Sequence, residues 1–232
     1  MARDTRRGAA RLASVSRSER RKPQAMARPG RVGRPRPEKS RTQAGFFGER
    51  GALDALAIRA FPGLTAGAGP YSPVKVWVPG CATGEEASSV AMLLLERLAA
   101  AGKPPALKIF ATDTDPETLQ AGRQGVYPVS ALSAVSPKRL QRFFAPCAAH
   151  RFQVSAALRQ VIVFARHDLF EDPPISNLDL IVYRRLPPPD DAHAPARLAL
   201  LLHFALKPGG YLLLSSHADL AAPCSMQPRT PC

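Results

Sequence analysis

Two adjacent acidic residues follow a glycine turn in the first half of the chain. Gly80 and Gly84 bracket this turn, and Glu85 and Glu86 open the predicted helix behind it. Bare amides at a helix N-terminus suit a pyrophosphate, but two carboxylates at the same place repel one. The same two acids suit a cationic ligand, such as the ammonium and sulfonium groups of S-adenosylmethionine. The alternative is that they only complement the helix dipole and bind no ligand.

Asp113 is the second candidate, because it ends the next predicted strand, at residues 107–113. In nucleotide-binding α/β folds an acidic residue at this place binds the two ribose hydroxyls. By itself Asp113 would be an ordinary loop or capping residue. Together with the glycine turn one βα unit earlier, it favours the adenosyl cofactor S-adenosylmethionine over a dinucleotide.

The elements that must position these residues alternate between strands and helices. Apolar, β-branched runs predict buried strands at residues 74–78, 107–113, 161–165, 178–182 and 211–214. Helical patterns lie at residues 85–101, 116–123 and 196–206, and a short amphipathic helix that ends at Pro62-Gly63 leads into the domain. Residues 125–157 are less regular, with a helix predicted at 137–144 and a strand at 151–154. This alternation predicts an α/β fold with a parallel sheet and flanking helices.

Positive charge is concentrated at the start of the chain. The formal net charge is +14, and residues 1–41 hold 14 Lys/Arg against 3 Asp/Glu. This segment has almost no aromatic or branched apolar residue to bury, so we expect a disordered basic tail. Residues 33–37, Gly-Arg-Pro-Arg-Pro, resemble the core of AT-hook peptides, which enter the DNA minor groove. Nucleic-acid binding through the tail is one hypothesis, and a solvated linker is the alternative.

The remaining composition narrows the class of protein. Cys81, Cys147, Cys224 and Cys232 lack the spacing of a metal site or a disulfide framework. We therefore expect no metal, and reduced thiols in a cytoplasmic protein. No apolar run approaches the roughly 18 residues that a membrane-spanning helix needs, so we expect no membrane insertion.

An ordered series of motifs runs through the chain. Residues 76–86 read Val-Trp-Val-Pro-Gly-Cys-Ala-Thr-Gly-Glu-Glu, residues 110–115 read Phe-Ala-Thr-Asp-Thr-Asp, and residues 125–128 read Gly-Val-Tyr-Pro. Further motifs lie at 136–140, 164–174 and 206–211. This series resembles the CheR-type chemotaxis receptor methyltransferases over about residues 45–217. The resemblance implies a class I methyltransferase domain with a Rossmann-like parallel sheet at 42–220, between the basic tail at 1–41 and a C-terminal tail at 221–232.

The resemblance also implies a reaction and a cofactor site. The reaction is methyl transfer from S-adenosylmethionine to glutamate side chains of chemoreceptors or related signalling proteins. The predicted cofactor-binding residues are Gly80, Glu86, Asp113, Asp168, Leu169, Arg185 and Leu186. Among them, Glu86 would contact the charged end of the cofactor, Asp113 the ribose, and Asp168 with Leu169 the adenine region. No catalytic residue is assigned, because an ionised carboxylate is already a nucleophile.

Two segments depart from the family's pattern. Where relatives carry Asn-x-Thr-x-Phe-Phe-Arg, this chain ends the motif in Gly48, which lacks the guanidinium that clamps a carboxylate, and Arg50 is the nearest substitute. In the family's Cys-Arg-Asn-Leu-Leu-Ile-Tyr run, Arg185 replaces the active-site Asn and Pro189 replaces the Tyr. We also expect a truncated relative without the closing antiparallel hairpin, which would leave strand 211–214 as an apolar edge. The alternative function is therefore a catalytically impaired cofactor-binding or scaffold module.

Overall fold

The computed structural model describes residues 45–48, 50–184 and 193–214. The predicted basic tail and the predicted C-terminal tail lie outside these residues. No helix in the described part of the chain is long and apolar enough to cross a membrane.

The described residues form eight strands and seven α-helices, with a 3₁₀-helix at Val129–Leu132. The strands are β1 (Val74–Pro79), β2 (Leu107–Asp113), β3 (Val126–Pro128), β4 (Phe144–Ala148), β5 (Arg151–Val154), β6 (Ile162–Arg166), β7 (Leu178–Tyr183) and β8 (Leu206–Leu214). The helices are α1 (Arg50–Arg59), α2 (Phe61–Ala66), α3 (Glu85–Ala100), α4 (Pro116–Gln124), α5 (Pro137–Phe143), α6 (Ala156–Val161) and α7 (Ala194–Ala205).

The central sheet has five parallel strands in the order β6-β2-β1-β7-β8. Strands β1 and β7 at its centre are nearly continuous apolar runs because they are buried on both faces, whereas the edge strand β8 keeps exposed residues. The α/β architecture predicted from the alternation of strands and helices is therefore confirmed. Strand β8 pairs only with β7 among the described strands, and Leu212 on it is 38% exposed.

Residues on the two faces of β1 enter two different cores. Val76 and Val78 belong to the larger core, which α3 covers, whereas Trp77 between them belongs to the core under α7. This split follows from the strand geometry, because successive side chains point to opposite faces of a sheet. All three side chains are fully buried, so this one short strand contributes to both cores.

A second, antiparallel sheet lies between α4 and β6 in the sequence, with the strand order β3-β5-β4. Only the strand at 151–154 is predicted for this sheet, and the helix predicted at 137–144 ends one residue earlier, where β4 begins. Strands β3 and β5 have only three and four residues, and four of the five residues of β4 are exposed. Strand β3 is too short and β4 too exposed to produce a period-2 pattern, so the sequence predicts β5 but not these two strands.

Two predicted boundaries are wrong. The predicted stop at Pro62-Gly63 lies inside α2, because Pro62 occupies the first turn, where a missing N–H is tolerated. The last strand was expected from Tyr211, but β8 begins at Leu206, directly after α7. Its pairing with β7 shifts register between the Leu206 and Tyr211 pairs, so the Lys-Pro-Gly-Gly segment forms an irregularity within the strand rather than a separate loop.

The burial of α3 gives a prediction about stability. Leu94 is fully buried in the larger core, so Leu94→Ala should lower the free energy of unfolding by about 2–5 kcal/mol. Urea titration of both proteins measures this change. The matched control is Leu200→Ala on α7, where the leucine is 59% exposed and the expected change is within about 0.5 kcal/mol. Equal losses in the two variants would contradict this assignment of the core.

Candidate cofactor site

The strand order places a crevice at the carboxyl edge of the central sheet. The chain builds β1, β2 and β6 in one direction and then crosses back to add β7 and β8 on the other side of β1. In open parallel sheets such a reversal leaves a crevice beyond the carboxyl ends of the two diverging strands, here β1 and β7. The glycine turn follows β1 and Arg184 follows β7, so both lie at this crevice.

The glycine turn at residues 80–84 has positive φ at three positions. These are Gly80 (69°), Ala82 (48°) and Gly84 (90°). Gly84 also has no room for a side chain, because a Cβ atom there would lie 2.7 Å from the ring of Phe164. Ala82 carries a Cβ atom in this unfavourable region, which residues other than glycine enter at a cost. The turn therefore requires glycine at position 84. The unfavourable backbone conformation of Ala82 requires support from a contact outside the turn.

Asp113 provides the contact that holds Ala82. The Asp113 Oδ2 atom accepts a hydrogen bond from the Ala82 amide at 2.9 Å, and Oδ1 accepts one from the Asp115 amide at 3.1 Å. The side chain is only 7% exposed at the end of β2, where the sequence predicts a ribose-binding acid. Each oxygen of a carboxylate accepts more than one hydrogen bond, so this anchoring is compatible with ribose recognition.

The two acids that open α3 have different partners. Glu85 accepts a hydrogen bond from the Thr83 hydroxyl at 2.6 Å and so remains within the turn. Glu86 instead forms an ion pair with Arg184 across the crevice, with 2.9 Å between Glu86 Oε1 and Arg184 Nη1. Their side chains are 14% and 13% exposed, so the pair is largely shielded from water. A carboxylate that only complements the helix dipole needs no such partner, so the ion pair indicates a further role for Glu86.

Arg184 lies at the crevice but is not among the cofactor-binding residues predicted from the sequence. The sequence does contain a motif that could have identified it, because Arg184 retains the arginine of the family's Cys-Arg-Asn run, immediately before the divergent Arg185. Arg185, Leu186 and Pro189 lie outside the described residues. Their predicted roles therefore stay predictions.

The loop after β6 brings Asp168 and Leu169 to the same edge of the sheet. The His167 amide donates to the Asp113 carbonyl at 3.1 Å, which ties the loop to the end of β2. The Asp168 carboxylate accepts hydrogen bonds from the amides of Phe170 and Glu171, at 2.9 and 3.3 Å. Leu169 packs against the core that contains Trp77. Both residues thus shape the loop itself, and their predicted contact with adenine remains a prediction.

Tyr127 reaches the glycine turn from the small antiparallel sheet. Its hydroxyl donates a hydrogen bond to the Thr83 carbonyl at 2.7 Å, and the residue is 4% exposed. Burial, and then the nearby negative charge of Glu85, raise the pKa of Tyr127 far above its ordinary value. The hydroxyl therefore remains a donor, and the small sheet supports the turn directly.

The aromatic pair Phe46-Phe47 packs beside this tyrosine. The Phe46 ring meets the Tyr127 ring edge to face, with 4.9 Å between the centroids, and the Phe47 amide donates to the Ser89 hydroxyl oxygen at 3.1 Å. The next residue, Gly48, is exposed and brings no charge to the site. Arg50, its suggested substitute, donates from Nη2 to the Ala134 carbonyl at 2.9 Å. The retained aromatic pair thus keeps its packing role without the guanidinium that relatives carry.

The fold and the crevice define a class of protein: an α/β domain with a Rossmann-like parallel sheet that holds a nucleotide-type cofactor at the carboxyl edge. Comparison with known families then gives the particular family. Residues 42–223 match the family described as CheR methyltransferase, SAM binding domain. The chain belongs to this family, and the resemblance drawn from its motifs is confirmed. The cofactor of the domain is S-adenosylmethionine, as predicted.

Relatives of this chain are longer proteins. An uncharacterized 104.1 kDa protein of Rhodobacter capsulatus is 36% identical over 175 residues, which are 75% of this chain and 18% of that protein. Chemotaxis protein methyltransferase 2 of Pseudomonas aeruginosa is 32% identical over 179 residues, 75% of this chain and 61% of that protein. The chemotaxis protein methyltransferase of Vibrio parahaemolyticus is 28% identical over 178 residues, 75% of this chain and 64% of that protein. The chain spans less than two thirds of each of these relatives.

Solved structures provide a further comparison. A glycopeptide N-methyltransferase crystallised with sinefungin aligns with a TM-score of 0.38 and 19% sequence identity, over 71% of this chain and 49% of that chain.

The environment of Tyr127 predicts how stability depends on alkaline pH. Its pKa is raised in the folded state, so the unfolded chain loses this proton first as the pH passes the ordinary tyrosine value of about 10. The free energy of unfolding should therefore fall above that pH, and it should fall less steeply in Tyr127→Phe. Denaturant titrations across the alkaline range measure both slopes. Tyr71→Phe is the control because Tyr71 is fully exposed, and the same slope in both variants would contradict the prediction.

Proposed function

We propose that this chain is an S-adenosylmethionine-dependent methyltransferase that methylates glutamate side chains of chemoreceptors or related signalling proteins in the cytoplasm. The observation that carries the proposal is the Glu86–Arg184 ion pair at the crevice, in a chain of the CheR family. The names of the Pseudomonas and Vibrio relatives, chemotaxis protein methyltransferases, support this class of substrate. Nucleic-acid binding through the basic tail stays a prediction.

The charges at the crevice fit the amino-acid end of the cofactor. That end carries one ammonium and one carboxylate group, and Glu86 and Arg184 offer one charge of each sign, 2.9 Å apart. Glu86 would hold the ammonium group and Arg184 the carboxylate, while Asp113 at the end of β2 would hold the ribose. A pyrophosphate would meet Glu86 with like charge. The described residues therefore fit S-adenosylmethionine better than a dinucleotide.

Methyl transfer depends on the positioning of the two reactants more than on proton transfer. When bound, S-adenosylmethionine supplies a methyl group that its sulfonium has already activated. The acceptor is an ionised glutamate, so no general base is needed, and the chain contributes by fixing the two reactants in line and excluding water. Asp113, Tyr127 and Glu86 would do this on the cofactor side, because each is held by the contacts described above.

A second candidate is a domain that binds the cofactor without turnover. Two observations favour it: Gly48 is exposed where relatives carry an arginine, and the Arg50 guanidinium donates to the Ala134 carbonyl. A carboxylate substrate is best oriented by a bidentate guanidinium, and neither residue places one at the crevice. This candidate shares the cofactor site with the first and differs only on the substrate side.

Cofactor affinity tests the role of the ion pair. Glu86→Gln and Arg184→Gln should each weaken binding about tenfold or more, because each removes a charge-assisted hydrogen bond. Calorimetric titration with S-adenosylmethionine and S-adenosylhomocysteine measures this, and equal losses for the two ligands are expected if the pair binds the amino-acid end. The control is Glu117→Gln, an exposed acid in the first turn of α4. Unchanged cofactor affinity in both crevice variants, together with an unchanged thermal unfolding transition, would contradict this assignment.

Methyl transfer separates the two candidate functions. Purified protein is incubated with radiolabelled S-adenosylmethionine and membranes that carry chemoreceptors. Base-labile label on receptor protein is the expected result, since a glutamate methyl ester hydrolyses in alkali. Cofactor binding without any label transfer would refute the enzyme and support the binding module. A sample with Glu86→Gln controls for label that does not depend on the crevice.

A further inference from the structure

The charge of the globular region is unevenly distributed along the sequence. Residues 118–167 contain seven Lys/Arg and no Asp or Glu. This stretch includes the small antiparallel sheet, α5 and α6, and every residue of it is described. A run of like charges in a sequence is usually a solvated face. It indicates a binding partner only where the charges line one defined surface.

Such a surface exists between α3 and α5. A groove of about 550 Å³ lies there, and its walls include Glu96, Ala99 and Ala100 of α3 and Lys138, Arg139 and Arg142 of α5. We call this the basic groove. Lys138 and Arg142 are exposed and four residues apart on α5, so they lie one helical turn apart on the same face. Neither is paired with a carboxylate among the described residues, whereas Arg139 is.

The floor of the basic groove already holds a carboxylate. Arg139 binds Glu96 through two hydrogen bonds, from Nε at 2.9 Å and from Nη2 at 2.8 Å, and its guanidinium lies over the Phe47 ring at 4.7 Å. These contacts fix Arg139, and the bond with Glu96 raises its pKa further. The Arg139 side chain is therefore held by contacts within the domain, and the charges of Lys138 and Arg142 are the ones that a ligand could bind.

We propose that the basic groove binds an acidic segment of a partner protein, with two carboxylates spaced to reach Lys138 and Arg142. Acidic residues four apart on a helix have this spacing. The methyl-sized side chains of Ala99 and Ala100 let the backbone of such a segment approach α3 closely. The identity of the partner, a protein substrate that receives the methyl group, rests on the proposed function, but the binding itself does not.

The lining of the groove favours a protein segment over a nucleic acid. Single-stranded nucleic acids bind grooves that combine cations with exposed aromatic rings, on which bases stack. The aromatic side chains at this place are Phe47 and Phe143, which are only 5% and 2% exposed. The groove therefore offers charge and small apolar side chains, which suit an acidic peptide.

A peptide titration tests the proposal. The probe is a fluorescein-labelled helical peptide with pairs of glutamates one turn apart, and a matched peptide carries glutamine at the same positions. Fluorescence anisotropy should detect binding of the glutamate peptide only, weakening as salt is added. Lys138→Glu and Arg142→Glu should each weaken binding about tenfold, because each replaces an attraction by a repulsion. Arg159→Glu on α6, an equal charge change outside the groove, should stay within about twofold.

Besides the absence of peptide binding, three results would overturn the proposal. The first is an effect of the groove variants no larger than that of Arg159→Glu, and the second is equal binding of the glutamine peptide. The third is tighter, groove-dependent binding of a single-stranded oligonucleotide. Calorimetry with S-adenosylmethionine on the same samples keeps the two proposals apart and confirms folding. Cofactor binding without peptide binding contradicts the groove alone, whereas peptide binding without cofactor binding supports the groove and contradicts the proposed function.

Discussion

The Asp113 carboxylate accepts one hydrogen bond from the Ala82 amide, at 2.9 Å, and another from the Asp115 amide, at 3.1 Å. The first bond holds the glycine turn against the end of β2, and the second shapes the loop that leads into α4. Asp113 is almost fully buried, where a carboxylate without partners would be costly, so both bonds stabilise the fold as well as the site. The crevice therefore depends on one acid that fixes two backbone segments at its rim, and the positive φ of Ala82 persists because this contact supports it.

The small antiparallel sheet supports the same turn through a different side chain. Tyr127 on β3 donates to the Thr83 carbonyl, one residue away from the amide that Asp113 holds. The Phe46 ring packs on Tyr127, so a residue from before α1 reinforces this support. The segment between α4 and β6 thus supports the turn at the candidate cofactor site, because Tyr127 adds a hydrogen bond to those that β2 makes with the turn. Its exposed cations can serve a partner without disturbing that support, since they lie on other residues.

The sequence predicts the parts of the site that are local and leaves out those that depend on topology. The turn, Glu86 and Asp113 are predictable because each lies at a strand end or a helix start that the apolar pattern marks. Arg184 is not, because it lies 98 positions from Glu86 in the chain and approaches it only where β7 lies beside β1. The structure places Asp168 at the same edge of the sheet, but its carboxylate accepts a hydrogen bond from its own loop, which spacing does not reveal, and its contact with adenine stays a prediction.

The Glu86–Arg184 pair restricts the charge of the favoured ligand more than the two acids behind the glycine turn do by themselves. A lone Glu86 would attract any cation, and a lone Arg184 any anion, including a pyrophosphate. As a pair, the two residues present no net charge, so a ligand gains from both only when it carries both signs at a matching separation. An α-amino acid group meets that condition, whereas a pyrophosphate would gain from Arg184 only by approaching Glu86 at the start of α3. With the cofactor bound as proposed, selectivity at this crevice would come from repulsion as much as from attraction, which a helix dipole alone would not provide.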